Sequence, residues 1–314
     1  MNQLQSKLNM FRRWVNIALG KSATAILQGP GKYYSTTELK GYYNDLTGKV
    51  GDKTPVDGNG IPLSQLSKDE FAYFPIAIFQ YGLGMYDLHL AGDPRADLTV
   101  LKNIAQWAIT NQRDDGFWDC FGPIKSKYYT ISSMGQGEGA SFLFRMWKLF
   151  GEEIYLQAAY RAVDSMLLSL KKGGTSIYRN EELFLEEYPQ DPQRSVMNGW
   201  IFSLFGLYDA ALLDPRKYAE PLSKTIQTLK AHLSDYDTGF WSRYDLSGRI
   251  ASPAYHTLHI AQLQVLRVLT GETAFDDFAA RLIRYEKSKF NRALAIGCKI
   301  VQKLLEKSDA VLIK

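Results

Sequence analysis

The sequence predicts an all-α fold: an incomplete barrel, or α/α toroid, of repeated helical hairpins with an irregular, partly β segment near its N-terminus. Three observations predict it. A unit of about sixty residues recurs, the first helix of each unit is apolar on every side, and an aromatic corner follows the second helix.

The repeat aligns Tyr86, Trp147, Tyr208 and Leu266, at spacings of 61, 61 and 58 residues. Each lies in an apolar helix that ends at a Gly or Asp turn and gives way to an amphipathic one. The second helices are read at 98–109, 154–170, 218–233 and 274–290. In the first of them Leu101, Ile104, Ala105 and Ala108 keep the i, i+3, i+4, i+7 spacing of a single apolar face. Helices apolar all round belong inside and amphipathic ones outside, which favours closure into a ring over a straight solenoid. The corners Gly116-Phe117-Trp118, Ser176-Ile177-Tyr178 and Gly239-Phe240-Trp241 then fall on one rim, where a cleft opens. Ahead of the toroid, residues 1–35 read as a helix and 36–65 as an irregular rim segment. Residues 66–314 form the toroid, and the whole makes one structural domain. A long stretch without periodicity is often functional, so Tyr42, Tyr43 and Asp45 are placed at the cleft border.

With 46% hydrophobic and 13% aromatic residues in 314, the chain can bury a large core and is not disordered. Nineteen Tyr and six Trp suit a cleft that stacks sugar rings, since each offers a flat apolar face and one polar atom. A net charge of +4 fits an acidic polysaccharide, while the lack of a Lys/Arg run argues against nucleic acid. Cys120 and Cys298 are isolated, which indicates neither a disulfide framework nor a zinc site. No apolar run reaches the roughly 18 residues of a membrane span. The short stretch from Trp14 to Leu19 is broken by Asn16 and does not read as a signal peptide, so the expected location is the cytoplasm. A homodimer is left open.

Three clusters carry chemistry-bearing residues on the rim. Glu186-Glu187-Tyr188-Pro189 cannot continue a helix, because the proline disfavours it at Tyr188. Arg243-Tyr244-Asp245 follows the third corner. Tyr255 and His256 open the fourth inner helix, with His259 three residues on and on the same face. No third or fourth ligand accompanies the two histidines, so they read as structural or substrate-facing and no metal is assigned. At the start of the second inner helix Gly135, Gly137 and Gly139 alternate, but no Lys-Ser/Thr follows and no strand precedes, which argues against a phosphate loop. The small residues let backbone approach a ligand or a neighbouring helix, with Gln136 and Glu138 pointing at the toroid mouth. Asn198 occupies the same place at the start of the third inner helix.

Together these motifs resemble the C-terminal catalytic domain of the D-glucuronyl C5-epimerases of heparosan and heparan sulfate biosynthesis. The matching stretches are Gly41-Tyr-Tyr-Asn-Asp-Leu, Ser133-Met-Gly-Gln-Gly, Glu186-Glu-Tyr-Pro, Asn198-Gly with Gly206-Leu-Tyr-Asp, Tyr244-Asp-Leu and Tyr255-His-Thr-Leu-His-Ile. They run in family order across roughly residues 40–285. The resemblance implies inversion at C5 of a glucuronyl residue in an acidic glycan, giving iduronyl, with no cofactor. It implies catalytic roles for Glu187, Tyr188, Tyr244 and Tyr255.

The chemistry agrees, since inversion needs a base on one ring face and an acid on the other. A carboxyl with a pKa of about 4.3 supplies the base and a phenol of about 10 the acid, with a reverse cost of roughly 4 kcal/mol unless a cation lowers it. Arg194, Arg243, His256 and Tyr188 are candidates to neutralise the substrate carboxylate. Tyr43, Gln136, Glu138, Asn198 and His259 complete the expected binding set. Where the family continues Arg-His after Tyr-Asp-Leu, Ser247-Gly248 stand here, so Arg243 or Arg249 is expected to take that cation's place. The family's animal members carry a β-rich region that this chain almost lacks, which leaves the choice among glucuronate glycans open. The alternative chemistry on the same toroid is a lyase, or a hydrolase pairing Glu138 with Glu187.

Overall fold

A computed structural model describes residues 28–67, 69–123, 126, 129–190 and 192–305. The helix expected over 1–35 lies outside them as far as residue 27. Its described end, 28–35, is not helical, because Gly29-Pro30-Gly31 breaks a helix there and Pro30 instead forms an isolated bridge with Asn44.

The toroid is built from four hairpins: α1 (Pro75–Leu90) with α2 (Leu98–Asn111), α3 (Ser133–Phe150) with α4 (Glu153–Met166), α5 (Met197–Leu213) with α6 (Pro215–Ala231), and α7 (Pro253–Thr270) with α8 (Thr273–Lys287). The first helices pack in sequence, α1 on α3, α3 on α5 and α5 on α7, and each second helix packs outside its own partner. Thus, among the described residues, the ring is incomplete, as the four repeats predict. Nearly every residue of α1 and α5 is buried, while α2, α6 and α8 bury one stripe each. One more helix among the described residues, α9 (Lys289–Leu305), begins inside the second helix read at 274–290; Ser288 separates it from α8, and α9 packs on α7 and α8.

Local chemistry fixes the ends. Asp97 accepts from the N–H groups of Thr99 and Val100 to cap α2, and Asp214 caps α6 through Lys217. Ser252 caps α7 by accepting from Tyr255 N, with Pro253 at the first helical position, so the cap itself sets Tyr255 in the opening turn. The crossing of α3 on α5 is close. A Cβ on Gly206 would lie 2.3 Å from Gly137 O, so only glycine lets these backbones meet.

Two hairpins supplement the helices: β1 (Ser64–Ser67) with β2 (Glu70–Ala72), and β3 (Ser176–Arg179) with β4 (Glu182–Leu185), both antiparallel. The second aromatic corner is therefore partly strand, turning at Asn180 with φ 52°. Thr228 Oγ1 on α6 accepts from Leu183 N and anchors β4, which leads directly into Glu186-Glu187.

Of the segment residues expected at the cleft border, Asp45 pairs with Lys32 at 3.0 Å, and the two tyrosines lie in the core. Tyr42 and Tyr43 are wholly buried, and the Tyr43 hydroxyl donates to Asp209 at 2.7 Å. Arg145, also wholly buried, pairs with Asp209 at 2.6 Å, donates to Gly41 O at 2.9 Å and stands over both tyrosine rings. The expected substrate contact at Tyr43 is thus a core hydrogen bond. Among the described residues no helix is long and apolar enough to cross a membrane, and no group of three or more His, Cys, Asp or Glu side chains could hold a metal ion.

Candidate active site

The two adjacent glutamates separate in role. Glu186 is buried and builds the loop: its carboxylate accepts from Ser195 N at 2.9 Å, Arg194 N at 3.3 Å and Ser195 Oγ, and its carbonyl accepts from Ser133 N at the head of α3. These bonds hold Ser195 at φ 44° and swing the chain into α5. The next residue, Glu187, then lies over the first turn of α5. A Cβ on Gly199 would fall 2.3 Å from Glu187 Oε2, so the glycine is what leaves room for the carboxylate. Glu187 is 6% exposed, and its Oε2 has no hydrogen-bond partner in the protein.

Three tyrosines converge on it. Tyr188 hydrogen-bonds the Glu187 carboxylate and Tyr244, and Tyr244 in turn reaches Tyr255, their rings 4.9 Å apart. Tyr244 is positioned by its loop, since Met197 N donates to its carbonyl and Leu246 N donates to Arg194 O. Tyr255 is 40% exposed and forms the outer edge of the group. Phe121 and Tyr129 back the Tyr188 ring at 5.3 and 5.1 Å.

Burial raises Glu187 to about 7, opposed by the Tyr188 hydrogen bond and the Arg249 charge. Burial also raises Tyr188 and Tyr244, each further opposed to ionising by the Glu187 charge. Burial around its hydroxyl, then Glu187, push Tyr255 up as well, despite its exposed ring. The site therefore pairs one readily ionised group with three phenols held protonated.

Of the two arginines offered for the place of the family cation, Arg249 lies beside the tyrosines. Its Nε donates to the buried Asp245 at 2.7 Å, and its guanidinium stands 5.7 Å from the centre of the Tyr244 ring. Ser247 occupies the other Asp245 oxygen through its hydroxyl at 2.7 Å. Sequence reasoning missed Lys299 of α9. Its ammonium lies 5.6 Å from the centre of the same ring and donates to Ile250 O at 2.7 Å. The lysine sits on the buried face of this amphipathic helix. Arg243 turns elsewhere, donating to Asp235 O, and Arg194 contributes backbone bonds to Glu186 and Leu246.

Several expected binding residues serve the fold instead. Gln136 is wholly buried: its amide donates to Gly116 O, Ala162 O and Ser165 Oγ, and its carbonyl accepts from Trp118 N. His256 stacks on Trp241 at 3.7 Å, accepts from Ser242 N at Nδ1 and meets Leu282 O through Nε2. Burial lowers it to about 4, so it is neutral at physiological pH and cannot neutralise a carboxylate. His259, lowered by burial to about 3, shares Ser242 Oγ with His256. Glu138 is also wholly buried, bound by Gln80 at 2.8 Å and raised well above the carboxylate range by burial. Its other oxygen, Oε2, has no hydrogen-bond partner in the protein. Asn198 remains beside Glu187, 3% exposed, with Oδ1 unpartnered.

Residues 121–284 match the family model described as D-glucuronyl C5-epimerase C-terminus, slightly more than half of the chain. The chain belongs to that family. Glu187 and all three tyrosines fall inside the matched region. A D-glucuronyl C5-epimerase of Caenorhabditis elegans is 29% identical over 238 residues, covering 62% of this chain and 38% of the relative. The uncharacterized protein MJ1128 of Methanocaldococcus jannaschii is 29% identical over 138 residues, covering 42% of this chain and 45% of that protein. The chain thus spans less than half the length of these curated relatives. Among solved structures, a cellobiose 2-epimerase from Spirochaeta thermophila is similar with a TM-score of 0.49 and 14% identity, over 94% of this chain and 79% of that one.

Proposed function

We propose that this protein inverts C5 of a glucuronyl residue within an acidic glycan, with Glu187 as base and Tyr255 as acid on opposite ring faces. The observation that carries the reading is a buried carboxylate with one oxygen unpartnered, reached by three linked phenols at an open rim. Membership of the epimerase family supports it.

In this reading the Glu187 carboxylate removes the C5 proton, and the electron pair moves into the substrate carboxylate as an enediolate. Arg249 and the tyrosine hydroxyls stabilise that charge. The Tyr255 hydroxyl then gives its proton to C5 from the other face. Glu187 ends protonated and Tyr255 ionised, and the Tyr188–Tyr244 chain joins the two, so a proton relayed along it resets the site. High phenol pKa values keep the ionised tyrosine short-lived and drive this reset.

Incubation with glucuronate-containing oligosaccharides in heavy water tests the reading. Deuterium at C5 of an iduronyl product supports it; an unsaturated, ultraviolet-absorbing product identifies a lyase, and new reducing ends identify a hydrolase. Exchange is expected to rise with pH through an apparent pKa near 7 and level off above it, because the base must be ionised. An acid limb at the ordinary carboxylate range, about 4.3, would remove Glu187 from the role.

A further inference from the structure

Helix α9 turns apolar side chains outward. In α2, α6 and α8 the apolar stripe faces the core, but α9 buries only Ala295, Ile296 and Lys299. Phe290, Leu294, Val301, Leu304 and Leu305 are all exposed, Phe290 by 76%, Val301 by 54% and Leu305 by 80%. With Gly297 among them, the steps from Phe290 to Leu304 are 4, 3, 4 and 3 residues. At 3.6 residues per turn that spacing keeps every member on one side of the helix. Among the described residues nothing comes within 4 Å of where a side chain on Gly297 would stand, so the stripe is open at its middle.

The helix cannot roll this stripe inward, because its other side is tied down. Lys299 Nζ donates to Ile250 O at 2.7 Å, and Gln302 accepts from Ile250 N at 3.0 Å and donates to Gly248 O at 3.2 Å. Ala295 packs with Trp241 and Ile250. An exposed apolar row on a helix held this way marks a contact surface. Its charge says which kind. From Lys289 to Leu305 the helix carries Lys289, Arg292, Lys299 and Lys303 and no acidic residue. Lys289 and Arg292 are exposed in its first turn, and the end of α8 adds exposed Arg284 and Lys287. Phe and Leu on one side, with Lys and Arg away from it, is the pattern of a helix lying in an anionic lipid interface. A second copy on this stripe would set like cations together, since neither α9 brings a carboxylate.

We infer that α9 seats the protein on an anionic membrane surface, its apolar stripe at the acyl boundary and its cations at the headgroups. The contact is peripheral, not a span, and it stands whatever chemistry Glu187 performs. It also places the rim. Lys299, on the inner side of the same helix, lies 5.6 Å from the centre of the Tyr244 ring. Little more than one helix diameter, about 10 Å, then separates the tyrosine cluster from the lipid.

Flotation of the full chain with lipid vesicles tests this. Binding is expected to phosphatidylcholine vesicles containing about one third phosphatidylglycerol, not to phosphatidylcholine alone, and to weaken at high salt. Phe290→Glu and Val301→Glu are each expected to weaken it about tenfold or more, and Lys289→Gln about fivefold. Both glutamate variants should unfold at the parental temperature, because these side chains face outward. A marked fall would mean that the stripe is covered within the fold, and would overturn the surface. Equal binding of the parent to both lipids, no binding to either, or binding that all three variants retain would overturn it too. Sedimentation velocity covers the remaining occupant: a lipid-free dimer that Phe290→Glu separates, with no vesicle binding, would assign the stripe to a second copy and reject the membrane.

Discussion

Glu187→Gln is expected to slow C5 proton exchange about 10³-fold, within the range that loss of a general base produces. The amide matches the carboxylate in shape, so the fit over Gly199 and the contact with Tyr188 are retained while basicity is lost. Stability should move the other way. The Glu187 carboxyl is raised from its ordinary 4.5 to about 7 on folding, so the folded state binds the proton more tightly than the unfolded chain. Its contribution therefore becomes unfavourable as pH rises from 4.5 to about 7 and stays so above. At pH 8 the variant is expected to be more stable by up to roughly 3 kcal/mol, the free energy of that shift. Exchange rates by NMR, with thermal unfolding of the same samples, separate chemistry from folding. Exchange within tenfold of the parent would exclude Glu187 as the base.

The second large effect lies in the core. Asp209→Ala is expected to cost about 3–5 kcal/mol, because it leaves the Arg145 guanidinium buried without its counter-ion. The same carboxylate accepts from Tyr43 and from Ser141 at 2.6 Å, so three buried donors lose their acceptor together. Arg145 also holds Gly41 O, and the damage should spread to the segment around Tyr42 and Tyr43. Urea unfolding measures the loss, and amide hydrogen exchange at 41–45 shows whether that segment is released first. A loss below about 1 kcal/mol would mean that Arg145 finds another partner or water.

The hairpins were legible because burial on all sides and burial on one side leave different sequence patterns. Tyr255 was legible too: Ser252-Pro253 marks a helix start, which places the tyrosine in the first turn. The roles of Tyr43, Gln136, Glu138 and His256 were not. A polar side chain at a cleft and one satisfied in a core share the same residue type, and only distant partners tell them apart. For Tyr43 that partner is Asp209, 166 positions along the chain; for His256 it is Leu282 O. Arg249 was one of two arginines offered for the missing family cation, and only the fold shows that the Asp245 turn brings it beside Tyr244 while Arg243 turns to Asp235 O. Lys299 escaped because its partner, Ile250 O, is a backbone atom with no signature in sequence.

The central claim, two groups acting on opposite faces of one carbon, is tested most directly by Tyr255→Phe in heavy water with a glucuronate-containing oligosaccharide. The account predicts that the parent yields iduronyl product labelled at C5, while the variant fails to invert yet still exchanges the glucuronyl C5 proton through Glu187. Inversion by Tyr255→Phe at the parental rate would contradict it.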